Sequence, residues 1–337
     1  MIEPTPPAPP EAASAAAVVA ARALSKVFKD DTGVHELDLT IPPGTIFGFV
    51  GPSGSGKTTT VRMLTGLTRP TSGSVEVLGS VPTRFSSTTK SRIGYLPQLS
   101  ALYPQLTVRQ NLTFAASIAG LPWLGRSAAL RRVIEFVELG GSESKTVTEI
   151  SGGMQRRLGL AATLVHDPEL LFLDEPTAGI DPVLRRKFWD HFAEMRDEGR
   201  TVFVTTQYVG EAEYCDLVAL IVGGRLVMMD TPEALRRAAS GGDLVRVRFA
   251  TVHGPETIEE LSRFDGDTRV RPLDERSLEL VVPDAARAIP DLVSWAQERG
   301  LDLEEAEEHR PPFDDVFVTL VERARDVETS MEMTGAK

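Results

Sequence analysis

Between an apolar run, TIFGFV, and a helix-like run, VRMLTG, stands the loop GPSGSGKT, residues 51–58, which fits G-x-x-x-x-G-K-[ST] in full. No other stretch restricts the chain so much. A strand, a glycine-rich turn and a helix in immediate succession form a unit that is built into sheets with parallel strands. The residue types also say what the turn is for. Successive backbone N–H groups can wrap a phosphate only where no Cβ blocks the approach, which explains Gly51, Gly54 and Gly56. Ser53, Ser55 and Thr59 add hydroxyls beside them. The helix starting near Lys57 turns the positive end of its dipole toward an anion. Lys57 brings a formal charge to β- and γ-phosphates, and the Thr58 hydroxyl is placed for Mg²⁺. The loop therefore predicts binding of a nucleoside triphosphate.

Such a loop needs a carboxylate to hold the metal, at the end of a neighbouring strand. In PELLFLDEP the apolar residues 170–173 read as a strand buried on both faces of a parallel sheet, and Asp174 closes them. Two adjacent carboxylates at such a tip are costly to bury unless paired or coordinated. The expected division gives Asp174 the metal and Glu175 the attacking water, as general base.

The remaining pattern is alternately strand and helix. AVVAARALSKVF, HELDLTI and GSVEVLG read as strands, and TVFVTT repeats the buried pattern. From about residue 99 to 165 the chain becomes helical. Thr107 is a candidate N-cap there, and Leu130, Val133, Ile134 and Val137 share one helix face. DLVALIVGGRLVMMD reads as a hairpin turning at Gly223-Gly224. Beyond the linker AASGGD, strands and helices succeed one another as βαββαβ, the order of a split-βαβ sheet, followed by a terminal helix, PFDDVFVTLVERA. The expected organisation is a disordered Ala/Pro-rich tail over 1–17, a nucleotide-binding domain over 18–238, an accessory domain over 241–325 and a flexible tail over 326–337.

At 337 residues, 42 % hydrophobic and 25 % charged, the chain is long enough for two domains with full cores. A net charge of −12 argues against a nucleic-acid partner held by a broad basic surface. Cys215 is the only cysteine, so no internal disulfide can form, and it reads as a small buried apolar residue in a reducing cytosol. No apolar stretch reaches the roughly 20 residues of a spanning helix, so action at a membrane requires another polypeptide.

One stretch is more specific. Residues 150–155, ISGGMQ, followed by RRLGLAATLVHDPELLFLDEPTAGID, resemble the signature motif and Walker B region of an ABC transporter nucleotide-binding domain, and the pieces over about 18–235 come in that family's order. The resemblance implies an α/β P-loop NTPase of ABC type, with a mixed central sheet, an antiparallel β subdomain and an α-helical subdomain, here followed by a small α+β C-terminal domain. It implies that Phe28 stacks on adenine and that Gln98 touches Mg²⁺ and water. Ser151, Gly152 and Gly153 would hold the γ-phosphate of an ATP bound to a second subunit, and the loop 178–181, ending at Asp181, would cross the dimer interface. The signature is physically apt, since Ser151 can cap a helix whose first N–H groups Gly152 and Gly153 leave bare.

The chain departs from the family after TVFVTT, where a histidine is expected and Gln207 stands. A glutamine amide can donate to the γ-phosphate but cannot titrate near neutrality. TTQY followed by the E-A-E stretch, and the ending RPPFDDVFVTLVE, resemble the ATP-binding subunits of ABC-2-type drug exporters of the daunorubicin-resistance kind. The resemblance thus implies an ATPase that uses ATP and Mg²⁺, pairs with a second nucleotide-binding subunit and drives a separate ABC-2-type permease from the cytoplasmic side of the membrane. A nucleotide-sensing regulatory subunit with little turnover and a soluble mechanical ATPase are the alternatives. The acidic patch LDLEEAEEH reads as a solvated face, and the C-terminal domain as a dimerisation or regulatory module.

Overall fold

The computed structural model describes residues 17–30, 32–99, 101–264 and 268–335. The N-terminal tail expected to be disordered therefore lies outside the described residues, save Ala17. The chain divides into two compact units: one of residues to Phe47, Gly54–Thr206 and Gly223–Arg225, the other of Gly48–Ser53, Gln207–Val222 and Leu226 onward.

The first unit opens with β1 (Val19–Val27), β2 (Gly33–Ile41), the start of β3 (Ile46–Val50), helix α1 (Lys57–Leu64) and β4 (Ser72–Val77). β2, β1 and β4 pair antiparallel in that order, which is the antiparallel subdomain that the resemblance implied. β2 alternates: Val34, Leu37, Leu39 and Ile41 are buried, while Glu36, Asp38 and Thr40 face water. Then come α2 (Ser87–Ser91), β5 (Ile93–Leu96), α3 (Val108–Ile118), α4 (Arg126–Phe136), α5 (Gly152–Leu164), β6 (Leu170–Asp174), α6 (Pro182–Asp197) and β7 (Thr201–Thr206). β5, β6 and β7 are parallel neighbours, with β3 beyond β7. Every residue of β6 and β7 is buried, so these strands lack the alternation of β2.

The helical stretch is α3, α4 and α5. Thr107 caps α3 in a full capping box: its Oγ1 accepts from Gln110 N at 3.2 Å, and Gln110 Oε1 accepts from Thr107 N at 2.9 Å. The predicted face of α4 is buried through Leu130, Val133 and Ile134, with Val137 just past its end. Ser151 caps α5 by accepting from Met154 N.

In the second unit the end of β3 is followed in sheet order by β8 (Leu217–Val222) and β9 (Arg225–Asp230). The hairpin between them turns where expected, at Gly223 (φ 57°) and Gly224 (φ 80°), left-handed conformations that suit glycine. A Cβ on Gly48 would lie 2.7 Å from Cys215 Sγ, so the buried thiol occupies the space that the glycine leaves. Burial pushes the Cys215 thiol pKa up, which makes it an inert packing residue.

After α7 (Pro232–Ser240) come β10 (Asp243–Phe249), α8 (Pro255–Ser262), β11 (Arg269–Pro272), β12 (Ser277–Val282), α9 (Ala285–Glu298) and β13 (Leu303–His309). The sheet order is β11-β12-β10-β13, all antiparallel, which is the split-βαβ arrangement. It has its own core, built from Val245, Val247, Phe249, Leu278, Leu280 and Val282 against Leu261 and Leu292 of the helices.

α10 (Phe313–Gly335) is helical where a flexible tail was expected from residue 326. It also leaves the accessory sheet and packs on α7 and on the 3-10 turn Val209–Tyr214. Phe313 is buried, and the Arg236 guanidinium lies 5.5 Å from its ring centroid while bonding Glu213 at 2.6 Å. The compact units thus do not divide at the composition shift near residue 240, because an apolar helix face returns to elements on the other side of it. Among the described residues no helix is long and apolar enough to cross a membrane.

Candidate nucleotide site

The phosphate loop owes its form to two left-handed glycines. Gly54 has φ 78° and Gly56 φ 99°, and Gly56, the N-cap of α1, brings no side chain to cap the helix. Both positions would strain a residue with a Cβ. Ser55 is buried, and its Oγ has no hydrogen-bond partner among the described residues. Lys57, at the first position of α1, is buried as well. Burial lowers its ammonium pKa, while the charges of Glu175 and Asp174 oppose that shift, so both carboxylates stand within reach of its field. Thr58 follows, half-buried. Gly51 and Ser53 lead from β3 into the loop.

Asp174 ends β6 and is fully buried. Its Oδ1 accepts from the Thr205 hydroxyl at 2.5 Å, whereas its Oδ2 has no partner among the described residues. A buried carboxylate oxygen left bare is costly, and a cation satisfies it. The donor set of Asp174 with the hydroxyl of Thr58, all hard oxygen, suits Mg²⁺.

Glu175 leaves the strand with φ 53°, a left-handed conformation uncommon for a residue with a side chain. Its N–H donates to Thr205 O at 3.0 Å and is 3.1 Å from Thr205 Oγ1, so the end of β7 holds the turn. Gln98, two residues past β5, donates from Nε2 to Glu175 Oε2 at 3.3 Å. Lys57, Gln98, Asp174 and Glu175 are therefore brought together from three segments, the start of α1 and the ends of β5 and β6.

Phe28, just past β1, is 48 % exposed, with Lys26 Nζ over its ring, 5.7 Å from the centroid. Ser151 and Gly152 are exposed at the start of α5. Asp181 caps α6, its Oδ1 accepting from Val183 N and Leu184 N at 3.1 and 3.0 Å. Gln207 is exposed and opens the second unit.

Two contributors escaped the sequence reading. Thr205 touches both acidic residues, and only its place at the end of the strand TVFVTT hinted at this. Arg156, in the run MQRRL, donates from its guanidinium to backbone carbonyls of residues 97, 98, 174 and 175.

The fold and this site define a P-loop nucleotide-binding domain. The ABC transporter family pattern matches residues 34–178. The chain is 36 % identical over 303 residues to the daunorubicin resistance ATP-binding protein DrrA3 of Streptomyces coeruleorubidus, covering 88 % of this chain and 93 % of that one. It is 41 % identical over 226 residues to a probable multidrug ABC transporter ATP-binding protein, YbhF of Escherichia coli, covering 67 % of this chain but 39 % of that protein's length. Among solved structures, the ATP-binding subunit of an ABC transporter shares the fold, with a TM-score of 0.62 at 23 % identity over 66 % of this chain and 92 % of that one. The chain belongs to the ABC transporter family, among its ATP-binding subunits.

Proposed function

We propose that the chain is the ATP-hydrolysing subunit of an exporter. Two nucleotide-binding subunits close head to tail around two ATP molecules and drive a separate ABC-2-type permease from the cytoplasmic side of the cell membrane. The observation that carries this reading is the meeting of Lys57, the Asp174 Oδ2 that finds no partner among the described residues and the Gln98–Glu175 pair, beside a helix whose N-cap is a left-handed glycine. The names of the relatives, multidrug and daunorubicin resistance, support drugs or other amphipathic compounds as cargo.

Phe28 stacks on adenine in this reading. The N–H groups of the loop from Gly51 to Thr59, with Ser53 and Ser55, enclose the phosphates, and the Lys57 ammonium balances charge on the β- and γ-oxygens. Thr58, Asp174 and Gln98 would hold Mg²⁺, which when bound offsets the negative charge that grows on the phosphate oxygens. Gln98 orients a water toward the γ-phosphorus. Glu175 takes the proton from that water as its oxygen bonds to phosphorus and the bond to the ADP oxygen breaks. Gln207 donates an amide N–H to the γ-phosphate. Ser151, Gly152 and Gly153 of one subunit complete the site of the other, and closure is a shift of population that hydrolysis reverses.

The permease is expected at a cleft of about 800 Å³ in the first unit, beside Pro97, where Tyr103, Phe114 and Ile118 present exposed apolar surface. Exposed apolar side chains grouped around a concavity are a recurrent docking feature.

ATPase assays and light scattering test the reading. Lys57→Ala and Glu175→Gln should each lower turnover by about 100-fold or more. Glu175→Gln with ATP and magnesium should sediment as a dimer. Turnover surviving in Lys57→Ala, or a Glu175→Gln chain that stays monomeric both alone and with its permease, would contradict it. The second reading, a nucleotide sensor with little turnover, is favoured by Gln207, and a wild-type chain that binds ATP without hydrolysing it would establish that one.

A further inference from the structure

The guanidinium of Arg156 occupies an unusual position. Ser151 caps α5, and five residues later, about one and a half turns along the helix, Arg156 reaches across to the ends of two strands. Its Nη1 donates to Pro97 O at 2.9 Å and Gln98 O at 2.6 Å, and its Nη2 donates to the carbonyls of Asp174 and Glu175. Parallel β5 and β6 end side by side at these peptides. One side chain therefore satisfies four carbonyls that run past the edge of the sheet.

Those four peptides carry the two side chains that meet above them, Gln98 and Glu175. The Glu175 peptide is also the strained one, held through its N–H by Thr205 and through its carbonyl by Arg156. A left-handed non-glycine residue costs on the order of 1–3 kcal/mol and persists only where its surroundings fix it from several sides. Burial makes the charge of Arg156 expensive, and the neighbouring Asp174 and Glu175 carboxylates offset part of that cost. The adjacent Arg157 points elsewhere: its Nη1 donates to Val137 O and Glu138 O, past the end of α4. The two arginines thus fasten α5 on two sides, to the helical lobe and to the hydrolytic strand ends.

We propose that Arg156 is a positioning residue for hydrolysis, setting Gln98 and Glu175 relative to each other and tying both to the helix that Ser151 caps. Because that helix start is where the other subunit's ATP is expected, Arg156 also links occupancy of the neighbouring site to the geometry of the chain's own base. The proposal rests on the ATPase reading above for its effect on turnover, though not for the hydrogen bonds themselves. Arginine is specifically required, since its planar fork spans four acceptors in two pairs, whereas a lysine ammonium is a single point of donation.

The test uses the full-length chain. In Arg156→Gln, kcat should fall by about 10- to 100-fold, the size expected when a reacting group is displaced by about an ångström. KM and the affinity for a fluorescent ATP analogue should stay within about 3-fold, since ground-state binding is untouched. Arg156→Lys should not restore kcat, whereas added guanidinium chloride at low millimolar concentration should raise kcat of Arg156→Ala and ammonium chloride should not. Combined with Gln98→Ala, the loss in Arg156→Gln should be less than additive, because both act on the same base. Amide hydrogen exchange supplies a readout independent of turnover: the amides of segments 98–99 and 174–175 should exchange faster in Arg156→Gln. Wild-type kcat in that variant, or a loss matched by equally weakened nucleotide binding, overturns the positioning role. Unchanged exchange in both segments overturns the hydrogen-bonded link even if the wild-type chain proves to have no turnover, an outcome that would separately sink the ATPase reading.

Discussion

Gln207 makes the sharpest statement at the scale of single residues. A histidine there can both donate a hydrogen bond and change charge, whereas the amide can only donate. Gln207→Ala should therefore lower kcat by about 10-fold or more, as loss of one oriented donor does. Gln207→His should keep turnover at pH 8 but add an acid limb below about pH 6.5, the ordinary histidine range. A steady-state pH profile of the three proteins decides it: equal rates in wild type and Gln207→Ala would leave Gln207 with no orienting role. Much of the rest of the site was legible for a similar reason. Lys57, Asp174 and Glu175 sit in contiguous runs whose residue types make sense only together. Arg156 and Thr205 were hidden because their partners are distant in sequence, and Arg156 bonds backbone carbonyls, which every residue supplies and no sequence pattern marks.

Among the elements, those with local chemistry at their ends were legible in the sequence. Thr107 and Gln110 close a capping box across four residues, and Gly223-Gly224 turns a hairpin because its strands need a left-handed link. β6 showed itself by an unbroken apolar run. The path of α10 was not legible: the sequence marks its apolar face but not which surface receives it, and that partner, the 3-10 turn Val209–Tyr214, lies a domain's length upstream. The capping box yields a simple check. Thr107→Ala should cost about 1 kcal/mol in urea unfolding, and Gln110→Ala should add little to it, since the two bonds are reciprocal. A change below about 0.3 kcal/mol would mean that α3 holds its start by packing alone.

For the whole molecule, the accessory sheet has a core of its own, so its contribution can be separated from nucleotide binding. Deleting residues 241–337 should leave ATP-analogue affinity within about 3-fold while weakening ATP-induced dimerisation by about 10-fold or more, as measured by analytical ultracentrifugation. Loss of nucleotide binding in a fragment that still melts cooperatively would assign the accessory domain a part in the nucleotide site instead. The melting temperature should drop as well, because α10 covers α7 and the turn beside Glu213. That covering has a consequence for biogenesis. The stretch following β7 is synthesised early, yet the helix that shields it emerges from the ribosome only after the split-βαβ domain has been made. Between those two moments the nascent chain carries an unshielded greasy patch, so stalling translation inside the accessory domain should yield a product that chaperones hold and proteases find.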